Sequence, residues 1–296
     1  MTKKKISALL AALLLGTTLV ACSSDEPADP WQKAKAVNHN RAESGRFPDH
    51  PIVLDDPEGY KSSELFFQKS EIAVLVDDTV AAGLRGGSVA MVVHAPMLVY
   101  KPDHHKEMLA ELDRLGAHTI LTVGSVALAP SEGARNVIRD PGGPEALGEF
   151  TALQFEEVVV EKAEDAVAAV ANVDEATPTW LRAGWAEPFV GKRAEARPVP
   201  GQSPRDADMA PKVIATPHSD LVAVVNARSY GAEVTMVSDP NPAKSERTLA
   251  QVIGLSDQPL IALGAEFGTA AELSAQIRVG EVDLTVEPNA KPFPSG

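Results

Sequence analysis

The chain has 296 residues and a formal net charge of −14, from 27 Lys and Arg against 41 Asp and Glu. Bulk electrostatics of that sign oppose loading onto nucleic acid or an anionic lipid face. Aromatic residues make up 5% of the chain and Cys occurs once, which excludes an internal disulfide and favours packed helices and buried strands over an aromatic groove for stacking sugars.

From the amino end, Lys3, Lys4 and Lys5 form a basic start without an acid, and Ile6 to Val20 is apolar apart from Ser7, Gly16, Thr17 and Thr18. That run is too short and too weakly hydrophobic for a membrane span, but it has the layout of an export signal. It ends in Leu19-Val20-Ala21-Cys22, directly followed by the polar Ser23-Ser24-Asp25, and resembles the lipobox of bacterial lipoproteins. The alternative is a soluble secreted protein whose Cys stands at the cleavage point. The resemblance implies a signal peptide over residues 1–21, a diacylglyceryl group on the Cys22 thiol and a fatty acid such as palmitate on the new amino terminus. Two acyl chains anchor a protein stably. The expected location is therefore the extracytoplasmic side of the cell membrane, reached through the N-terminal lipid. Losing residues 1–21 removes three Lys and no acid, so the net charge moves from −14 to −17.

Residues 22–61 hold Pro27, Pro30, Pro48, Pro51 and Pro57 among polar groups and read as a flexible tether. Beyond it, a pattern of short apolar runs and helical stretches begins. Strands are expected at Glu71–Val76, Met97–Tyr100 and Thr119–Val123, with helices over Thr79–Val93 and His104–Leu115 between them. The same order returns with strands at Lys212–Ala215, Glu233–Val237 and Leu260–Leu263, and helices over Ser219–Ser229 and Ser245–Ile253. First-to-second strand offsets are 23 residues (Val74 to Met97) and 21 (Val213 to Val234), and each third strand ends in Gly, at Gly124 and Gly264. This is an internal repeat of alternating strand and helix, which implies parallel sheets covered on both faces. Between the copies, a strand at Glu156–Val160 and a helix at Glu164–Ala171 suggest a worn middle copy, while Thr177–Asp208 is rich in Pro and charge and lacks the pattern. The expected fold is α/β, with two or three small parallel-sheet repeat units after a disordered tether. Repeat 1 spans 62–134, a degenerate middle repeat or irregular insertion 135–207, repeat 3 residues 208–285, and a tail 286–296.

The segments Ser70–Val76, Ala95-Pro96-Met97-Leu98, Leu112-Asp113-Arg114-Leu115-Gly116 and Val123-Gly124-Ser125-Val126-Ala127 resemble the cell wall-binding repeat 2 family. The likeness covers residues 62–130 well, 208–275 loosely and the middle poorly. It departs from the family where Asp77-Asp78-Thr79 replaces a Gly-rich segment. The resemblance implies repeats in threes, each a small α/β unit, that bind anionic wall polymers.

Open α/β sheets bind ligands at the carboxyl ends of their strands. Asp77 and Asp78 follow the first strand of repeat 1, and His218 and Asp220 hold the matching place in repeat 3. The same residue types cap helix starts, so capping and ligand contact are both open. A basic cluster of Arg182, Lys192, Arg193, Arg197 and Arg205 lies near Trp180 and Trp185 and could hold phosphate or stack on a sugar. With Glu187, Glu195, Asp206 and Asp208 interleaved, the reading as a solvated loop is the favoured one. His104-His105 lacks a third His at zinc spacing, and Ser88 lies inside a helix rather than on a nucleophile elbow. The expectation is no catalytic residue, no metal and no cofactor. The function expected is non-catalytic binding of cell-wall polymer or scaffolding of envelope components, with no nucleic acid and an envelope protein as a possible partner. A wall-glycan enzyme or a solute-binding lipoprotein of a transporter are the alternatives.

Overall fold

The computed structural model describes residues 29–41, 45–129, 135–203, 209–286 and 293–294. The signal segment, Cys22 and Arg205 lie outside the described residues. In chain order come α1 (Pro30–His39), β1 (Pro51–Leu54), α2 (Tyr60–Phe66), β2 (Ile72–Val76), α3 (Val80–Val93), β3 (Met97–Val99), α4 (His105–Leu115) and β4 (Thr119–Val123). They are followed by β5 (Asn136–Arg139), α5 (Gly143–Thr151), β6 (Glu156–Val160), α6 (Ala166–Ala171) and β7 (Thr179–Ala183). The last part holds β8 (Lys212–Ala215), α7 (Leu221–Tyr230), β9 (Val234–Met236), α8 (Glu246–Val252), β10 (Leu260–Leu263) and α9 (Ala270–Val286).

Every strand pair is parallel, in sheets ordered β3-β2-β4-β5, β9-β8-β10-β1 and β6-β7. The first and third units share one topology: second strand, first strand, third strand, then an added strand beside the third. Apolar runs such as Ile72–Val76 and Leu260–Leu263 are buried along their whole length, as strands covered on both faces must be.

Two expectations need correction. The tether does not extend to residue 61. Trp31 of α1 packs with Leu249 and Ile253 around α8, Phe47 joins Phe66 and Tyr230, and β1 pairs with β10. Trp31, Phe47 and the residues of β1 are used although the segment is polar on average, which a reading of average polarity misses. The region after Thr177 is also not devoid of the pattern, because Thr179–Ala183 forms β7, whose Arg182 is met by Glu157 of the neighbouring β6. In the tail, Phe293 lies edge-on against Trp31.

Helix α3 joins the three units. It is buried from Ala81 to Ala90, and three glycines make that possible. A Cβ at Gly83 would stand 2.9 Å from Leu221 Cδ2 and one at Gly87 2.9 Å from Val225 Cγ2, so these two positions, one turn apart, let α7 approach closely. Gly86 turns to the other side, where a Cβ would stand 2.4 Å from Val76 Cγ1 of β2. Ser88 Oγ accepts from Leu181 N of β7 at 2.8 Å and ties in the middle unit. Across the first and third units, Asn226 of α7 treats β3 as a strand partner would: its Oδ1 accepts from Met97 N at 2.7 Å and its Nδ2 donates to Met97 O at 3.0 Å.

Gly86→Ala tests this packing. Alanine favours a helix interior over glycine by about 1 kcal/mol, whereas overpacking costs about 1–3 kcal/mol. With the Val76 and Val74 side chains of β2 both close, the expected outcome is a net loss of stability in urea unfolding. A net gain would show that α3 is not tightly held.

Candidate functional site

The carboxyl ends of the first sheet form a continuous rim with two characters. At the β2 and β3 end, a cleft of about 200 Å³ is closed by the start of α7 and brings together Asp77, Asp78, Lys101 and Asp220. The sequence candidates from two repeats thus converge on one place. His218 is exposed and does not line it.

The convergence is largely structural in purpose. Asp77 Oδ1 accepts from Thr79 N at 3.0 Å and from Thr79 Oγ1 at 2.5 Å, while Oδ2 accepts from Ser125 N at 2.7 Å in the loop after β4. Thr79 in turn caps α3 by accepting from Ala82 N. Gly124, at φ 83°, has no room for a side chain because its Cβ would stand 2.2 Å from Asp77 Oδ2. The third unit repeats the device with the acid on the opposite loop. Glu266, after β10, accepts from Ser219 Oγ at 2.9 Å and from Thr216 Oγ1, and it covers Gly264 at φ 123°. In both units a carboxylate laces the loop after the first strand to the loop after the third.

Asp220 behaves differently. It makes no cap bond to α7 and instead accepts from Asp56 N at 2.8 Å. Partial burial pushes its carboxyl above the ordinary range; the Asp56 amide opposes this, and the charges of Asp55, Asp56 and Glu266 add to it. Asp78 is exposed. Ligand cavities commonly hold about 300–1,000 Å³. A cleft of about 200 Å³ with Asp77 fully engaged is poorly suited to a glycan and to paired acid and base.

The β4 and β5 end of the rim is basic. A depression of about 250 Å³ runs from Gly124 and Ser125 past Arg139 to Phe189, Gly191 and Lys192. It shares Arg139 and Lys192 with a neighbouring groove of about 490 Å³ lined by Val137, Arg139, Lys192, Arg193, Glu195 and Arg197. Val137 and Arg139 lie on one face of β5, since alternate residues of a strand share a face. Asp140 adds no free negative charge, because it is buried and paired with Arg85 at 2.9 Å. Lys192, Arg193 and Arg197 are exposed and make no ion pair among the described residues, whereas Arg85, Arg114, Arg135, Arg182 and Arg228 all do. Arg193 holds φ 63°, a left-handed conformation costly for a side chain of its size.

The expected cluster is therefore reshaped. Arg193 and Arg197 belong together, but Arg182 sits on β7 within 2.5 Å of Glu157 and 3.5 Å of Glu187, outside the groove. Trp180 is core, under the Arg85 guanidinium at 5.3 Å, and is closed to a sugar; Trp185 is 43% exposed. Sequence reading missed Arg139, which only the pairing of β5 with β4 brings near residues 192–197.

Among the described residues no group of three His, Cys, Asp or Glu could hold a metal ion; His104 instead meets Glu58 at 2.7 Å. Likewise, no described helix is long and apolar enough to cross a membrane. No protein-family model matches the chain, and no curated protein matches it.

Asp220 should be recognisable by its titration. As pH falls through the raised folded-state value of Asp220 toward the ordinary value of about 4, the folded state takes up the proton first, so this group's contribution to stability rises. Carbon-detected NMR should show Asp220 titrating above the ordinary Asp range, and Asp220→Asn should abolish that rise. An ordinary titration for Asp220 would contradict its burial.

Proposed function

We propose that this chain is a lipid-anchored protein of the bacterial cell envelope that holds an anionic wall polymer, without catalysis, in the basic groove beside β5. The observation that carries this reading is the groove itself. Arg139, Lys192, Arg193 and Arg197 face a single acid, Glu195, in a chain whose net charge is −14. Where acids are in excess, cations left without ion pairs among the described residues are the places able to take an anionic ligand. Arginine suits phosphate and carboxylate because its planar fork presents paired donors. The anchor rests on Leu19-Val20-Ala21-Cys22, and the tether to the fold is shorter than its Pro content suggests, since α1 begins at Pro30. The polymer must therefore be met near the membrane.

Binding should rest on local charge against a repelling whole. The purified chain is expected to sediment with isolated cell wall at low salt and to release as ionic strength rises, because screening shortens from about 10 Å at 0.1 M to about 3 Å at 1 M. Replacing Lys192, Arg193 and Arg197 together with Gln should weaken binding at least about tenfold, or ~1.4 kcal/mol. All three are exposed, so the fold should persist. Arg182→Gln should change little, and Asp78→Asn should leave binding unchanged or raise it. Parental binding by the triple Gln variant would remove the groove from the account.

A further inference from the structure

The three units close on one another in a cycle. Helix α7 of the third unit packs on β3, α3 of the first on β7, and α6 of the middle unit on β9. Asn226 of α7 holds the backbone of β3, and Ser88 of α3 holds that of β7. Strand β7 therefore stands where β3 and β9 stand, as a second strand, and β6 is the first strand of the middle unit. The register agrees, since Glu156 pairs with Thr179 as Val74 pairs with Met97, 23 residues on in each case.

In the other two units the first strand is enclosed, with a third strand along its remaining edge: β4 beside β2 and β10 beside β8. Among the described residues nothing pairs with β6 on that side. Its backbone bonds show which groups are left over. Glu156 N donates to Pro178 O at 2.9 Å, and Val160 O accepts from Gly184 N at 2.8 Å, so the residues at 156, 158 and 160 bond to β7. Glu157 and Val159, which alternate with them, point their N–H and C=O groups at the open edge. The side chains are bare as well: Val158 and Val159 are 46% and 38% exposed, whereas β2 is buried throughout. An edge of this kind is a template for a further strand.

Charge selects the occupant. Glu156 begins β6 and Glu161 follows it; both are exposed and make no ion pair among the described residues, while Glu157 is held by Arg182. Pairing β6 with the β6 of a second copy, in either direction, sets these acids against one another, and like charges directly opposite destabilise a sheet. We propose that the open edge of β6 takes up an extended segment of another protein as its third strand, with β-branched apolar residues at the centre and Lys or Arg at both ends. Main-chain bonds to Glu157 and Val159 supply affinity, the apolar centre covers Val158 and Val159, and the basic ends meet Glu156 and Glu161. The edge shares no residue with the polymer groove.

A fluorescein-labelled peptide, Lys-Lys-Thr-Val-Ile-Val-Thr-Lys-Lys, titrated into the purified chain at about 0.15 M salt and followed by anisotropy tests this assignment. It should bind saturably, one peptide per chain, and at least about tenfold more tightly than two controls. One control carries Glu for every Lys; the other carries Pro-Pro for the central Val-Ile, which keeps the charge but lacks the amides a strand must donate. Hydrogen exchange at the Glu157 and Val159 amides should slow on binding. Val159→Pro removes one outward N–H without touching the bonds to β7, a substitution an edge strand accepts, and should weaken the Lys peptide at least about tenfold. Glu156→Lys with Glu161→Lys, both at exposed positions, should reverse the preference between the Lys and Glu peptides, and it keeps the test decisive if Val159→Pro misfolds. The triple Gln variant of Lys192, Arg193 and Arg197 should bind the Lys peptide as the parent does, which separates this site from the polymer groove. Absence of saturable binding, equal binding of the Pro-Pro peptide, an unchanged preference in the double Lys variant, or a dimer of the parent chain that Val159→Pro dissociates would each overturn the proposal.

Discussion

The architecture depends on burying α3 from every side. A helix enclosed in this way can carry no unmatched charge, yet Arg85 lies in its middle at 2% exposure. Asp140, at 3%, meets it with two bonds, Arg85 Nε to Oδ2 at 2.9 Å and Nη2 to Oδ1 at 3.1 Å, and Trp180 lies over the guanidinium. Such a buried pair adds little net stability, because desolvation offsets attraction, but removing one partner costs about 3–5 kcal/mol. Its effect here is specificity. Arg85 belongs to the first unit, Asp140 follows β5, and Trp180 belongs to the middle unit, so the charge can be satisfied only when all three are assembled. The glycines that admit α7 and the Ser88 bond to β7 act in the same direction.

The same pair shapes the surface. Asp140 is the residue after Arg139, and consecutive residues at a strand end face opposite ways. Because Asp140 is drawn inward by Arg85, Arg139 is left on the groove side without a neighbouring acid to cancel it. Asp77, in turn, spends its carboxylate on Thr79 and Ser125, which fixes the loop forming the other end of the rim. Apart from Glu195 in the lining itself, these acids beside the groove are thereby occupied, and a positive site arises in a strongly acidic protein. At the far end of α3, Arg228 performs a related task between the third and middle units, and each of these arginines leaves one buried nitrogen without a hydrogen-bond partner among the described residues, Nη1 of Arg85 and Nε of Arg228.

The repeat was legible because its strands are continuous apolar runs of matched spacing. Ile72–Val76 and Leu260–Leu263 needed no tertiary information. Strand β1 was hidden because Pro51–Leu54 is short and starts with Pro, which an edge strand accepts at its first residue. Strand β7 was hidden by Arg182, whose charge makes sense only with Glu157 two positions away in the register of β6. For the site, Arg193 and Arg197 were visible as a local cluster, while Arg139 needed the parallel pairing of β4 and β5 to join it. The convergence of Asp77 and Asp220 was foreseeable from repeat position, but their different roles were not. Those depend on which neighbour offers an amide: Ser125 for one and Asp56 for the other.

If α3 makes the three units one cooperative body, native-state hydrogen exchange should show it most directly. The amides of Val74 in β2, Leu181 in β7 and Ile214 in β8 should open with one common free energy, and Asp140→Ala should lower all three together. A separate, easier opening at Leu181, with Val74 and Ile214 unmoved by Asp140→Ala, would show independent units and contradict the account.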